Sequence, residues 1–223
     1  MEAIQLSQIK NGVLWFNNPQ ASRYFWMPNG YGIKKGEGYY QNVWIFVNQF
    51  TVAPTDHFSL GVGMVPLFLF GGTSSPVWVT GKFSIPVTPE KINLGVGILS
   101  GTVLGEEGTG FGIAYGLTTF GSRDKNISIG LGYGYTGGEW ANTPTISVSS
   151  MIRTSNRGYF LTENYYIDSG EESLILISIG GRRIVKKTGI DFGLFMPFKS
   201  VMGNFVAIPW LGITAPLGAK KIK

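Results

Sequence analysis

The sequence predicts an all-β protein, a closed antiparallel transmembrane β-barrel of about twelve strands, with ten as the alternative count. Three observations lead there. From residue 38 onward, segments rich in Val, Ile, Phe, Tyr and Thr recur between turn clusters, each long enough to cross a bilayer at a tilt. Within them greasy and small or polar residues alternate, the period-2 mark of a strand with two unlike faces. The turns themselves fall into two classes, short and well specified at one end, longer and Gly-rich at the other, which is the habit of a membrane barrel.

Strands are expected near 40–52, 57–70, 76–87, 92–104, 110–121, 126–137, 144–154, 158–167, 173–185, 189–198 and 204–216. In 126–135 the odd positions Ile127, Ile129, Leu131, Tyr133 and Tyr135 face Asn126, Ser128, Gly130, Gly132 and Gly134. In 77–87, Val77, Val79, Phe83, Ile85 and Val87 alternate with Thr80, Lys82 and Ser84. In 145–153, Ile146, Val148, Ser150 and Ile152 alternate with Thr145, Ser147, Ser149, Met151 and Arg153. The uncharged stretch Phe58 to Gly81 is broken by Pro66, Gly71-Gly72 and Pro76, so it reads as two strands and a loop rather than a membrane helix.

The short turns are Pro54-Thr55-Asp56, Pro89-Glu90-Lys91, Arg123-Asp124-Lys125, Asn156-Arg157-Gly158 and Lys186-Lys187-Thr188. The longer links are Gly71–Ser75, Gly105–Gly110, Gly138–Thr143, Asp168–Glu172 and Lys199–Gly203. Taking the short set as periplasmic places both termini in the periplasm. Lys34–Gly38 then becomes an outer loop, and Arg23–Gly32 the twelfth strand that climbs to it. Residues 1–22, with Leu14-Trp15-Phe16 followed by Asn17-Asn18-Pro19, are expected as a periplasmic leader, a short plug or an extra pairing segment. Residues 23–217 are the expected barrel, and 218–223 a basic periplasmic tail. Export requires a signal ahead of Met1, expected to have been removed.

Composition agrees with this class. Of 223 residues, 33 are Gly and aromatics make 14%, while charged residues make only 14% against about a quarter in a soluble domain. That deficit suits a wall that meets lipid. The absence of Cys removes disulfide and thiolate chemistry. A net charge of +5 is spread thinly, without the aromatic interleaving of a nucleic-acid surface, so nucleic acid is not expected as a partner. The expected partners are membrane lipid and other outer-membrane proteins.

The run Lys34-Lys35-Gly36-Glu37-Gly38-Tyr39-Tyr40-Gln41-Asn42, with Asn48, Thr55-Asp56-His57-Phe58-Ser59, Thr162-Glu163-Asn164 and Asp191-Phe192-Gly193, resembles a pattern in uncharacterised barrel-like proteins of Bacteroidota. The resemblance spans most of residues 20–217. It implies export to a Gram-negative outer membrane and a barrel, and it implies no activity.

His57 is the one histidine and stands beside Asp56 in an expected periplasmic turn, where it reads as a solvated turn residue. No catalytic, metal or cofactor site is expected, and the chain does not read as an enzyme. The charges within strands carry more information. Glu163, Asp191, Lys82, Arg153, Arg182 and Arg183 should point into the lumen or lie near an edge, because Arg or Lys facing lipid at mid-membrane costs about 2–4 kcal/mol. Lys82, Arg153, Glu163, Arg182 and Asp191 are the lumen charge candidates. Arg182 and Asp191 sit equally far from the Lys186-Lys187 turn and so should oppose one another, either as a structural salt bridge or as part of a charged constriction. Gly61, Gly63, Gly95, Gly97, Gly101, Gly112, Gly116, Gly130, Gly132 and Gly134 are expected on the inner face as a smooth wall. That wall either eases curvature or receives Trp44, Phe46, Trp78 or the leader. The functional expectation is a narrow, anion-favouring channel for small solutes, or alternatively a structural subunit of a larger complex with a filled lumen.

Overall fold

In a computed structural model, the chain is described over residues 8–66, 74–106, 108, 110–168, 172–199 and 206–218. A two-stranded hairpin comes first, β1 (Ile9–Lys10) with β2 (Val13–Leu14). Then follow β3 (Gly38–Val43), β4 (Val47–Val52), β5 (Phe58–Met64), β6 (Ser75–Thr88), β7 (Ile92–Leu104), β8 (Phe111–Ser122) and β9 (Lys125–Thr136). The short β10 (Glu139–Trp140) doubles back on β9. The series ends with β11 (Thr145–Arg153), β12 (Gly158–Asp168), β13 (Ser173–Val185), β14 (Thr188–Lys199) and β15 (Ile208–Leu217).

Twelve of these, all but β1, β2 and β10, pair antiparallel with their neighbours in chain order, and β15 closes the ring on β3. The result is a closed twelve-stranded barrel. Closure pairs every wall strand on both sides, which is what lets backbone polar groups survive in hydrocarbon. Its outer wall carries Phe50, Val62, Val79, Phe83, Ile98, Leu131, Ile179, Phe192 and Leu211, all exposed. Water would not tolerate such a continuous apolar belt, whereas lipid requires it.

The expected count is met by different strands. The segment 40–52 is not one strand but the hairpin β3–β4, turning at Trp44-Ile45-Phe46. Arg23–Gly32 is not a wall strand. It carries a single bridge, Arg23 to Pro28, and lies inside the lumen. Pro28 and Gly30 break any alternation there, and nothing in the segment offers a greasy face to lipid. The boundary between leader and barrel therefore falls near Gly38 rather than at residue 23.

Lys34–Gly38 also sits at the opposite end from the one expected. Gly38 pairs with Leu217 and Val52, and the Lys35 amide donates to Asp56 at 2.8 Å, so this link belongs with the short turns. We call that mouth the turn end and the other the loop end. The expected strand 57–70 ends at Met64, and its residues 67–70 lie outside the described ones. So do 71–73, 107, 109, 169–171, 200–205 and the tail beyond Gly218.

Pleat parity decides which glycines face in. Gly61, Gly63, Gly95, Gly97, Gly101, Gly130, Gly132 and Gly134 do. Gly112 and Gly116 do not: Gly116 pairs with the exposed Val96 and Leu131, and Gly112 with Tyr135 on the same outer face. Their strand β8 turns Ile113, Tyr115 and Leu117 inward instead.

Candidate functional site

The lumen is occupied by the chain's own residues 15–32. They enter from the turn end, loop inward to Trp26, and leave at the turn end again. This plug is a chain without regular structure, so its backbone amides and carbonyls need partners from the wall. The inward-facing charges of the strands supply them.

Arg182 of β13 and Asp191 of β14 are directly opposed in register. Both are about 1% exposed, and they form a bidentate pair, Nε to Oδ1 at 2.6 Å and NH2 to Oδ2 at 2.8 Å. The guanidinium then reaches into the plug, donating to the Gln20 carbonyl at 2.8 Å, the Tyr24 carbonyl at 2.7 Å and Gln20 Oε1 at 2.9 Å. Glu163 of β12, equally buried, accepts from the Trp26 and Met27 amides at 2.9 Å each and from the Tyr165 hydroxyl at 2.7 Å. Lys82 of β6 donates to the carbonyls of Asn29 at 3.0 Å and Tyr31 at 2.8 Å. Three of the barrel's inward charges thus act as latches on plug backbone.

Arg153 lies apart from these, half-buried at the turn-end rim. It pairs with Asp124 at 3.1 Å, donates to the Phe16 carbonyl at 2.7 Å and stacks on Trp15. It marks where the plug enters. Arg123 marks where it leaves, with both terminal nitrogens donating to the Gly32 carbonyl at 3.1 Å. Tyr31 lies beneath that guanidinium and donates to the Gly121 carbonyl; burial foremost, with the Glu90 carboxylate, raises its hydroxyl above the ordinary phenol value. Arg183 points outward at the turn end and is exposed. His57 is exposed in the turn after β4, its Nδ1 3.1 Å from the Ser84 carbonyl. Among the described residues no three His, Cys, Asp or Glu gather as a metal site.

The plug's apolar side chains complete the fill. Phe25 is fully buried against Phe195 and Trp210, with ring centroids 5.5 and 5.7 Å away. Tyr24 crosses to the other wall and bonds Asn126 and Ser128, both at 2.7 Å. The Gly30 amide donates to Thr119 Oγ1 at 2.7 Å, and its Cα comes against the glycine wall at Gly95. That wall receives the plug through Gly30 and Met27, and Trp78 covers Gly63; Trp44 and Phe46 instead form the β3–β4 turn.

Arg23, expected in a wall strand, is a lumen cation. It is 7% exposed, donates to Gln41 Oε1 at 2.6 Å and leaves its Nε without a partner. The lack of alternation across 23–32 was the one sequence signal that this segment is not wall. Beside Arg23 and Lys82, between plug and wall, lies a cavity of about 220 Å³ bordered by Gln49, Thr80, Tyr115 and Tyr165. A second of about 380 Å³ opens beyond Trp26 at the loop-end mouth.

A closed, lipid-faced barrel with polar groups turned inward is the architecture of a transmembrane β-barrel. Solved structures share it with this chain. The KdgM porin superposes with a TM-score of 0.58 at 8% identity, over 80% of this chain and 98% of that one. The KdgM porin in complex with disordered oligogalacturonate gives 0.57 at 7% identity, over 80% and 96%. At such identity the likeness is one of fold. No protein-family model and no curated protein matches the chain.

Proposed function

We propose that this protein is an outer-membrane, porin-like channel for small solutes that carries its own plug, closed in the conformation described, with the turn end and both termini in the periplasm. The observation that carries the reading is the chemistry of the latches. Arg182, Glu163 and Lys82 hold the plug by hydrogen bonds to its backbone, and water can replace each of those bonds when the plug swings out.

With the plug withdrawn, and Arg23 with it, the inward strand charges balance, Lys82 and Arg182 against Glu163 and Asp191, and the cationic excess that favours anions lies at the turn-end mouth, where Arg123 and Arg153 stand against Asp124. Such a ring of side-chain charge is how pores select by sign. Oligogalacturonate, the ligand named for one structural neighbour, is a chain of sugar carboxylates and fits the same sign.

The burial of Tyr24 and Phe25 supports a second reading, a structural subunit whose filled barrel docks on another outer-membrane protein. Conductance in planar bilayers separates the two. The native chain should conduct rarely, and the double variant Lys82→Met, Glu163→Gln should open far more often with an anion-favouring reversal potential. A variant that folds, binds lipid and never conducts would remove the channel reading and leave the subunit.

A further inference from the structure

The loop-end mouth is built unlike the vestibule of an aqueous pore. The ten described residues around its cavity of about 380 Å³ are all apolar or indole-bearing, Trp26, Val43, Trp44, Val47, Trp78 and Trp210 among them. Two of those indoles are already satisfied, Trp44 by the Pro209 carbonyl at 2.6 Å and Trp78 by Gln49 Oε1 at 3.1 Å. A concave apolar chamber of this size is the usual form of a small-molecule site.

The wall beside the chamber is low. β3 and β4 have six residues each, whereas β6 has 14 and β7 has 13. Six residues rise about 20 Å along the strand, or about 15 Å of height at barrel tilt, against an apolar band of about 25 Å. The β3–β4 turn therefore ends inside the hydrocarbon. Its residues agree: Ile45 is 78% exposed and Phe46 45%. Trp44 and Ile45 hold left-handed φ values of 51° and 70°, which a turn in water would give to Asn or Gly. Side chains also cap the turn's carbonyls, Asn42 bonding Ile45 at 3.0 Å and Asn48 bonding Phe46 at 2.8 Å. In water the solvent would do this; in lipid the protein must. Past Val43, β15 runs on to Ile208 with Trp44 alone, among the described residues, bonded against that side.

We propose that the mouth holds a hydrocarbon chain drawn sideways from the bilayer, passing over the β3–β4 turn into the chamber above Trp26. The occupant is the acyl chain of a membrane lipid. The described lining offers it no charge, and its floor is the tip of the plug, so an entering chain presses on the segment that fills the lumen.

Trp26 reports on this directly, because a sealed wall would keep it from lipid. The full chain is placed in nanodiscs whose phospholipids carry bromine midway along the acyl chains, and emission is compared between the native protein and Trp26→Phe. The difference is the emission of Trp26. Brominated bilayers should remove at least half of it, aqueous acrylamide should leave most of it, and Leu99→Phe, which narrows the chamber, should recover part of it. Trp78→Phe on the facing wall gives a second reading of the same contact. Trp26 emission untouched by brominated lipid, or quenched by acrylamide alone, would overturn the proposal. Quenching by added free brominated fatty acid but not by the bilayer lipid would overturn the membrane source. Conductance does not enter this test, so it stands or falls apart from the channel.

Discussion

At the scale of single residues, the pair Arg182–Asp191 makes the sharpest test. Both charges are sealed from water, and the guanidinium also carries three plug contacts through Gln20 and Tyr24. Breaking a buried pair by removing one partner costs about 3–5 kcal/mol, because the other charge is left stranded. Asp191→Asn should destabilise by that order in urea titration of the protein in lipid vesicles. Arg182→Met should lose more, since it also frees the Gln20 and Tyr24 carbonyls. A double-mutant cycle should show strong coupling; a value near the 0–1 kcal/mol of a wet pair would mean that the lumen is hydrated there. The pairing was legible in the sequence because hairpin register follows from counting outward from a two-residue turn. The role of Arg182 as a plug latch was not, since its other partners lie some 160 positions away in the chain.

At the scale of elements, the plug and the β3–β4 hairpin are where the sequence misled, and for one physical reason. Both break local rules. Trp44-Ile45-Phe46 has none of the Gly, Asn or Asp that announces a tight turn, so 40–52 reads as one long strand. Arg23–Gly32 then had to be enlisted as wall to keep the count even. Lys82 and Glu163 read as lumen or edge charges from the cost of a charge against lipid, but that cost cannot say what they hold. Gly30 tests how closely the plug seats. A methyl on it would stand 2.4 Å from the Asn93 carbonyl oxygen, too near for backbone to yield cheaply, whereas one on the outward Gly116 meets nothing. Gly30→Ala should cost about 1–3 kcal/mol and raise open probability in bilayers; Gly116→Ala should change neither by much. Equal effects would mean that the plug does not rest on that wall.

At the scale of the whole molecule, strand number and sidedness are separate matters. Twelve strands came out of the sequence through compensating errors, one strand too few in 40–52 and one too many at 23–32. The apolar outer face came out correctly from period-2 alternation, which depends only on lipid outside and polar lumen inside. Sidedness rests on the turns. The turn end carries Lys91, Arg123, Lys125, Arg157, Lys186 and Lys187, and the loop end carries Glu106, Glu139 and Asp168. Cysteines at Glu139 and Lys187 in intact cells should separate cleanly, the first reacting with an impermeant maleimide and the second protected until the outer membrane is permeabilised. The opposite labelling would invert the barrel.

The plug enters past Arg153 and leaves past Arg123, through the same mouth. It is a loop hung into the barrel rather than a thread drawn through it. A tug on residue 8 along the barrel axis would therefore meet its contacts one after another, Phe16 at the rim, then Gln20 and Tyr24 on Arg182, then the carbonyls on Lys82, and only last Gly32 on Arg123. Contacts loaded in sequence yield at a far lower force than the same contacts sheared together. The segment can thus be peeled out from one side without breaking a strand, and it rests in the barrel as a zipper with its tab at the turn end.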